Sequence, residues 1–393
     1  MPDATAARRE LQAARQRTDS LFSLVHPDAL YDRPLPERHR IVFYLGHLEA
    51  FDWNVVARRT LGLPAFHPSF DDLFEFGIDP PRGETPRDTP PDWPAIDEVR
   101  AYGRQARDRV DTLLDDVPED VWRTALEHRE MHHETFAYML HRLPHDRKLV
   151  PADRTRPVSG ATPENPLVEI PEGEALLGRS ASEGFGWDNE FAAHAVPVPA
   201  FRIQRDKVTN GAYLEFVREG APPPGFWLNR AGAWHLRTMF GEIPLPPDWP
   251  VWVTHQQAAA YARWRALSLP SEAQFHRAAF GAPQGAELDP APGNCGYSHW
   301  DPVPVSDGPL SPHGVRHMIG NGWEWTSTVF APFKGFAARP YYPGYSANFF
   351  DDEHYVLKGA SPRTAQCFLR RSFRNWFRPD YPYVFAGFRC VEA

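Results

Sequence analysis

Two histidines in the N-terminal third of the sequence have the spacing of metal ligands. His128 and His132, in the segment EHREMHHE, are four residues apart. On a helix this spacing places both imidazoles on one face, about one turn apart, where they can share one ion. The same face continues through apolar residues, so the pair is predicted to point inward, where a polar group needs a partner. The other members of this stripe are Val121, Ala125, Thr135 and Met139.

A third ligand is available from an earlier segment, FYLGHLEAFDWN. His47 falls on the same helix face as Tyr44, Phe51 and Val55, which predicts that it also points into the protein. Three neutral imidazoles leave coordination positions open and suit Zn(II), Fe(II), Cu or Ni, so the residues alone do not choose the metal. The competing interpretation for each inward histidine is a hydrogen-bonded core residue.

Neighbouring polar residues on the same segment receive different predictions. His133 and His141 lie off the inward stripe and are expected to be solvated. Glu134 is either an acceptor that orients a ligand imidazole or an exposed helix acid.

Apolar residues recur at helical spacing through the first 143 residues, which predicts that the three histidines lie on helices. Four helices of this length predict an antiparallel bundle. The expected ranges are about 5–24, 37–61, 93–114 and 118–143.

The connection between the second and third predicted helices is about thirty residues long and rich in proline. Loops of this size are usually functional or disordered. Apolar anchors favour an ordered loop, namely Phe66, Phe70, Leu73, Phe74 and Phe76.

A different composition begins after a polar, proline-containing stretch. We expect a helical domain at 1–143, a linker at 144–165 and a second domain at 166–393, rich in Gly, Pro, Trp and Phe. In this second domain only residues 254–267 and 271–280 are predicted to be helical. Short strands are predicted in LVEIPEG, AVPVPAFRI, HYVLKGAS and VFAGFRCV.

Composition excludes several classes of protein. The 42 basic and 51 acidic residues give a formal charge of −9, which argues against nonspecific binding to nucleic acid or anionic lipid. No apolar run is long enough to span a membrane. The charged N-terminus and the three cysteines, Cys295, Cys367 and Cys390, predict a soluble, cytoplasmic protein with reduced thiols.

Longer motifs carry a family resemblance. YLGHLEAF and HREMHHE, followed by LPSEAQFHRAA, GNGWEWTSTVF, YVLKGAS and FRNWFRPDYPYVFAGFRC, resemble the ergothioneine-synthase family of sulfoxide synthases over almost the whole chain. The resemblance implies an α+β protein in which a DinB-like four-helix bundle precedes a formylglycine-generating-enzyme-like (C-type-lectin-like) domain. It also implies a non-haem Fe(II) held by His47, His128 and His132, and an O2-dependent attachment of sulfur to the imidazole of hercynine (trimethylhistidine).

Several positions depart from the family pattern. Phe377 stands where the family has an Asp that contacts its cysteine-type substrate, and Phe330 stands where the family has a proton-donating Tyr. Met131 replaces a common Gln, and the family's Arg-bearing loop is absent. Asn375 and Trp376, which match the hercynine side of the pocket, remain. The resemblance therefore implies a retained imidazole substrate and a changed chalcogen donor.

This pattern resembles one branch of the family, the selenoneine synthases, which join hercynine to a selenosugar. The expected function is O2-dependent C–Se bond formation giving selenoneine, from hercynine and a selenosugar or thiosugar, with no nucleic acid, membrane or obligate protein partner. Tyr44, Trp323 and Trp376 are candidates for cation–π contact with the trimethylammonium group. Phe330, Phe377 and Trp376 suit the apolar face of a hexose.

Two other hypotheses remain open. One is an ergothioneine- or ovothiol-type synthase that uses cysteine or γ-glutamylcysteine; the other is a non-enzymatic lectin-like binding module. Structural roles are also open for Trp323, which lies in a segment expected to build the core, and for the arginines beside the RNWF motif, which pair with nearby acids if they do not meet substrate. Those arginines are Arg370, Arg371, Arg374 and Arg378.

Overall fold

The computed structural model describes residues 4–75, 84–152, 158–282 and 289–392. By contact the chain divides into two units. The helical unit is Met1–Asp153 together with Pro340–Tyr342, and the C-terminal unit is Arg154–Arg339 together with Pro343–Ala393. Each unit is described by itself below.

Within its described residues the helical unit has the four long α-helices that the periodicity predicts and one short α-helix in addition. The α2 helix packs against α4 and α5, and α1 packs against α5. The second predicted helix begins later than expected and changes form at its end, because a π-helix at Asn54–Thr60 continues it. The helices are α1 (Ala4–Phe22), α2 (Ile41–Trp53), α3 (Pro68–Leu73), α4 (Ile96–Leu113) and α5 (Glu119–Arg142).

Apolar residues three or four positions apart build the core of this unit. On α1 these are Ala7, Leu11 and Ala14, and on α5 they are Val121 and Ala125, all at most 2% exposed. Burial of such a stripe is the main stabilising contribution to helices of this kind. The α3 helix lies in the long proline-rich connection, where Phe74 is fully buried and Leu73 is exposed. The predicted anchor Phe76 lies outside the described residues.

The described residues of the C-terminal unit form twelve short strands and three α-helices. Both predicted helices are present, and each begins after a residue whose hydroxyl accepts a hydrogen bond from the helix backbone: Thr254 before α7 and Ser271 before α8. The helix α6 was not predicted. The helices are α6 (Asn210–Arg218), α7 (His255–Trp264) and α8 (Glu272–Phe280).

The strands of the described residues pair into four small sheets. A four-stranded sheet has the order β10-β9-β8-β11, in which β9 is antiparallel to β8 and β10 while β11 is parallel to β8. The other sheets are β1-β4-β12, β2-β3 and β5-β6-β7. The strands are β1 (Leu167–Ile170), β2 (Gly173–Leu177), β3 (His194–Val198), β4 (Phe201–Gln204), β5 (Trp227–Arg230), β6 (Ala233–Thr238), β7 (Gly241–Pro244), β8 (Gly322–Val329), β9 (Tyr355–Ala360), β10 (Asn375–Phe377), β11 (Ala386–Gly387) and β12 (Val391–Glu392).

Buried aromatic and charged side chains hold this loop-rich unit together. Trp323 and Trp325 of β8 are at most 2% exposed. Between them in sequence, Glu324 accepts hydrogen bonds at 2.5 Å from Lys207 and at 2.6 and 2.8 Å from Arg389. A buried carboxylate is tolerated only when it is paired in this way. These contacts give the WEWT and GFRC motifs a structural role.

Two remaining expectations concern the thiols and the membrane. Cys295, Cys367 and Cys390 form no disulfide with one another. Among the described residues, no helix has the length and apolar character required to cross a bilayer.

Candidate metal centre

Three histidines converge in the helical unit. His47 lies on α2, and His128 and His132 lie one turn apart on α5; one ligand nitrogen from each falls within 4.8 Å of the others. Nε2 of His47 is 3.3 Å from Nε2 of His132. Two imidazole nitrogens on one ion, each about 2.1 Å from it, are about 3.0–3.4 Å apart. The donor set therefore fits a transition metal, and no other such group of three occurs among the described residues.

The protonation state of these histidines suits metal binding, which requires neutral imidazole. Burial lowers the pKa of His47 to about 4, although a hydrogen bond to a backbone carbonyl opposes the shift. Burial also lowers the pKa of His128 and of His132 well below the usual value, and the neighbouring histidines add to the effect. At neutral pH the three rings are uncharged and have lone pairs available.

A backbone carbonyl of the long connection orients His47. Nδ1 of His47 donates to the carbonyl oxygen of Phe74 at 2.7 Å, which leaves Nε2 as the ligand atom. Gly46 permits this approach, because a Cβ atom at that position would lie 2.6 Å from the Phe74 ring. The connection predicted to be ordered thus supplies an orienting group for the site.

The second ring nitrogens of the other two histidines have a different environment. Among the described residues no hydrogen-bond partner reaches Nδ1 of His128 or Nδ1 of His132. Glu134 therefore does not orient either ring through this atom, which corrects the first of its two predicted roles.

Aromatic rings surround the three histidines. Phe43 stacks on His47 with ring centres 5.0 Å apart, and Phe51 stacks on His128 at 3.3 Å. Tyr44, a predicted substrate contact, is 2% exposed, and its ring lies 5.9 Å from that of His132. The face of α2 that carries Tyr44, His47 and Phe51 is thus the face that the periodicity predicts.

A buried ionic network lies beside the ligands. The Arg129 guanidinium, fully buried, donates to Glu49 at 2.9 and 3.0 Å, to Asp52 at 2.6 Å and to the Leu48 carbonyl at 3.1 Å. Burial raises the pKa of Glu49, but Arg129 and Arg107 outweigh it and bring that pKa to about 2. Glu49 and Arg129 therefore remain charged and paired, whereas burial raises the pKa of the Asp52 carboxyl even though Arg129 opposes the shift.

The prediction that His133 and His141 are solvated is wrong, since they are 1% and 2% exposed. His133 instead faces a polar neighbourhood off the ligand stripe, where Nδ1 is 2.9 Å from Glu130 and Nε2 is 2.7 Å from the Thr18 hydroxyl. A third helix, α1, supplies Thr18 and covers this face of α5, which periodicity on α5 alone does not reveal.

In the C-terminal unit, two of the predicted substrate residues lie together. Phe330 and Trp376 are stacked with ring centres 4.2 Å apart and an interplanar angle of 7°. Trp376 is half-buried, whereas Phe330 is fully buried. Phe330 thus supports the ring of Trp376 by stacking on it.

Asn375 and Phe377 flank Trp376 on β10 and point to the opposite face of the strand, because side chains alternate. Phe377 stacks on Tyr381 at 5.0 Å, and the Asn375 amide oxygen accepts from the Trp376 backbone N–H at 2.9 Å. The RNWF residues therefore do not form one continuous patch. Trp323 is 2% exposed in the core, which favours the structural role left open for it.

The four arginines around this motif pair with acids. The partners are Glu190 for Arg370 at 2.5 Å, Glu183 for Arg371 at 3.3 Å, Glu272 for Arg374 at 3.1 Å and Glu353 for Arg378 at 3.7 Å. The alternative in which these arginines pair with nearby acids is therefore the one observed.

Comparisons with known proteins agree with this arrangement. Residues 154–393 match the family model of the sulfatase-modifying factor enzyme 1-like domain, and residues 10–145 match that of the DinB superfamily. The fold is therefore α+β, with a DinB-type four-helix bundle followed by a formylglycine-generating-enzyme-like domain, as the resemblance implies.

Individual relatives are similar to this chain over large parts of its length. The chain is 26% identical to ergothioneine biosynthesis protein 1 of Neurospora crassa over 93% of this chain and 55% of that protein. It is 33% identical to hercynine oxygenase of Mycolicibacterium smegmatis over 75% of this chain and 77% of that protein. It is 28% identical to formylglycine-generating enzyme of Streptomyces coelicolor over 62% of this chain and 94% of that protein. The chain spans about half the length of the fungal relative.

Two matched domains in this order, and similarity across both of them, place the chain in the family of ergothioneine biosynthesis protein 1 and hercynine oxygenase.

Proposed function

We propose that this protein is an O2-dependent, non-haem Fe(II) enzyme that bonds a chalcogen to the imidazole of hercynine. The convergence of three neutral imidazoles in the helical unit carries the proposal, and the relatives named hercynine oxygenase support the substrate. Fe(II) held by His47, His128 and His132 supplies the chemistry with O2 and leaves positions for ligands. The binding-module hypothesis gives no reason for this convergence.

The protein's own groups orient substrates and exclude water. Aromatic rings close to the ligands, Phe43, Phe51 and Tyr44, make the metal surroundings apolar. Tyr44, whose ring centre lies 5.9 Å from that of His132, is the aromatic residue of this unit that would contact the trimethylammonium group of hercynine. Burial of the ligand imidazoles keeps them neutral, so proton transfer is not their role.

We propose further that the donor is a selenosugar and the product is selenoneine. In the first step the Se–H bond of the donor and a C–H bond of the imidazole break and a C–Se bond forms; one oxygen atom of O2 ends on selenium as a selenoxide and the other leaves as water. A thiol reductant then supplies two electrons and two protons, the sugar–selenium bond breaks, the sugar leaves with a hydroxyl group, and selenoneine is released. Phe377 supports this donor, because its ring stacks on Tyr381 and offers an aromatic surface where the family has a carboxylate. An uncharged hexose needs no carboxylate partner, whereas the ammonium group of cysteine would lose a bond worth about 1.5–3 kcal/mol.

The experiment is an aerobic assay of the Fe(II)-reconstituted chain with hercynine and one donor at a time. The donors are a selenosugar, a thiosugar, cysteine and γ-glutamylcysteine, and products are identified by mass. We expect imidazole–chalcogen product with the sugars alone. Product with cysteine or γ-glutamylcysteine would establish the ergothioneine- or ovothiol-type alternative, and no product with any donor would favour the binding module.

A matched pair of variants tests the role of position 377. Phe377→Asp restores a carboxylate, and Phe377→Asn has nearly the same shape without the charge. For each variant we compare kcat/KM for cysteine with kcat/KM for the sugar. We expect this ratio to be about tenfold higher in Phe377→Asp than in Phe377→Asn, which corresponds to the free energy of one charge-assisted hydrogen bond. If this ratio were equal in the two variants, residue 377 would not determine which donor is used.

A further inference from the structure

A short piece of chain from far along the sequence belongs to the helical unit. Pro340–Tyr342 group with the helices by contact. The Tyr341 hydroxyl donates to the Asp120 carboxylate at 3.0 Å, and Arg59 donates to the Tyr341 carbonyl at 3.2 Å. A further polar contact of 3.3 Å joins this hydroxyl to Thr124 on α5. Tyr341 is thus an anchor that fixes the position of the next residue.

The next residue, Tyr342, lies against a metal ligand. Its ring is edge-on to His128, with centres 6.0 Å apart and an interplanar angle of 77°. It is also edge-on to Phe51, with centres 5.2 Å apart and an angle of 70°. Phe51 in turn stacks on His128 at 3.3 Å with the rings 8° from parallel. Three aromatic rings therefore pack together, and the ligand is one of them.

His128 and His47 differ in what holds their orientation. His47 donates from Nδ1 to the Phe74 carbonyl, the usual arrangement for a metal-binding histidine. For Nδ1 of His128 no partner occurs among the described residues. The orientation of His128 then depends on ring packing, with Phe51 on its face and Tyr342 at an edge-on angle.

We propose that Tyr342 is a positioning residue of the metal centre, which fixes the plane of the His128 imidazole by packing, and that Tyr341 holds it in place. The inference rests on the metal centre of the proposed function and adds a residue that is not one of the ligands. The active part of Tyr342 is its ring rather than its hydroxyl.

The test is a titration of the full chain with Co(II), whose visible absorption reports both affinity and coordination geometry. Loss of a group that orients a ligand typically weakens metal binding 10–100-fold. We expect Tyr342→Leu to bind Co(II) at least tenfold more weakly and to show an altered absorption band at saturation. Tyr342→Phe retains the ring and should match the unaltered chain within about twofold.

Two further variants separate this role from general stability. Tyr341→Phe removes the hydroxyl that donates to Asp120, and we expect a shift in the same direction but smaller than that of Tyr342→Leu. Tyr31→Phe removes a comparable tyrosine hydrogen bond in the same unit, to the Pro94 carbonyl at 2.9 Å, and should leave Co(II) binding unchanged. The absorption band at saturating Co(II) is informative even if Tyr342→Leu lowers the melting temperature.

The outcomes distinguish the two proposals. No Co(II) binding by the unaltered chain would overturn the metal centre itself. Normal binding and a normal spectrum in Tyr342→Leu would overturn the positioning role alone. Equal weakening in Tyr342→Phe and Tyr342→Leu would assign the effect to the hydroxyl and overturn the packing argument.

Discussion

Both units bury histidines, but in the part of the chain that the structure describes only the helical unit brings three of them together. His276 and His317 of the C-terminal unit are 2% exposed, and burial lowers the pKa of each below the usual value, as it does for His47, His128 and His132. Among the described residues, His276 and His317 belong to no cluster of metal-binding side chains. A lowered pKa therefore indicates burial, and the convergence of nitrogens indicates a site.

The strongest test of this comparison makes the same substitution in both units. His128→Leu removes one of three ligands, and we expect metal affinity to fall at least 100-fold. His276→Leu removes an equally buried imidazole, and we expect one metal ion per chain to be retained. Metal content after dialysis and a Co(II) titration provide the measurement. Comparable metal loss in a folded His276→Leu variant would break the distinction.

A second test sharpens the comparison through pH. Burial lowers the pKa of His317 to about 3, and the charges of Lys207, Arg389 and Arg316 add to the shift. The unfolded chain takes up a proton near pH 6.5, whereas the folded chain does not until about pH 3, so the free energy of unfolding falls as pH falls below 6.5. Between pH 7 and pH 5 this one group accounts for a loss of about 2 kcal/mol.

The variant for this test is His317→Asn. Position 317 has a φ of +52°, a conformation that asparagine tolerates better than most residues. We expect His317→Asn to lose about 2 kcal/mol less than the unaltered chain between pH 7 and pH 5. Urea unfolding at the two pH values measures this difference, and identical losses would show that His317 is not a source of acid sensitivity.

The smallest expected effect concerns aromatic rings. Those of the helical unit lie against the histidine ligands, whereas Phe330 and Trp376 lie against each other. Phe330→Tyr adds a hydroxyl at a fully buried position and should destabilise the protein by roughly 1 kcal/mol. Phe377→Tyr, at a half-buried ring, should change stability by less than about 0.5 kcal/mol. A neutral Phe330→Tyr variant would mean that position 330 has room for a polar group.

Sequence patterns predicted the parts that depend on local periodicity. The helices that carry the histidines, the inward direction of His47, and the starts of α7 and α8 follow from the spacing of apolar residues and from capping side chains. The π-helical continuation of α2 is not a property of that spacing. The α6 helix was missed because nine residues between short strands give a weak periodic signal.

The remaining parts depend on contacts between distant positions. The Phe74 carbonyl that orients His47 is a backbone group, so residue type carries no signal for it, although Gly46 beside His47 is a clue to close approach. Tyr342 approaches His128 only through the fold. The separation of Trp376 from Asn375 and Phe377 could have been predicted, because alternation along a strand follows directly from the extended pattern.

The Arg129 network has a consequence for how α2 and α5 slide past each other. Arg129 directly follows His128, and its partners Leu48, Glu49 and Asp52 lie within five positions of His47. A shift of one helix along the other by a single turn, about 5.4 Å, would separate the guanidinium from both carboxylates and leave buried charges uncompensated. The same shift would carry His47 away from His132. The ion pairs therefore fix the register of α2 against α5, because any other register leaves buried charges unpaired. The register that they favour is the one in which the three imidazoles meet.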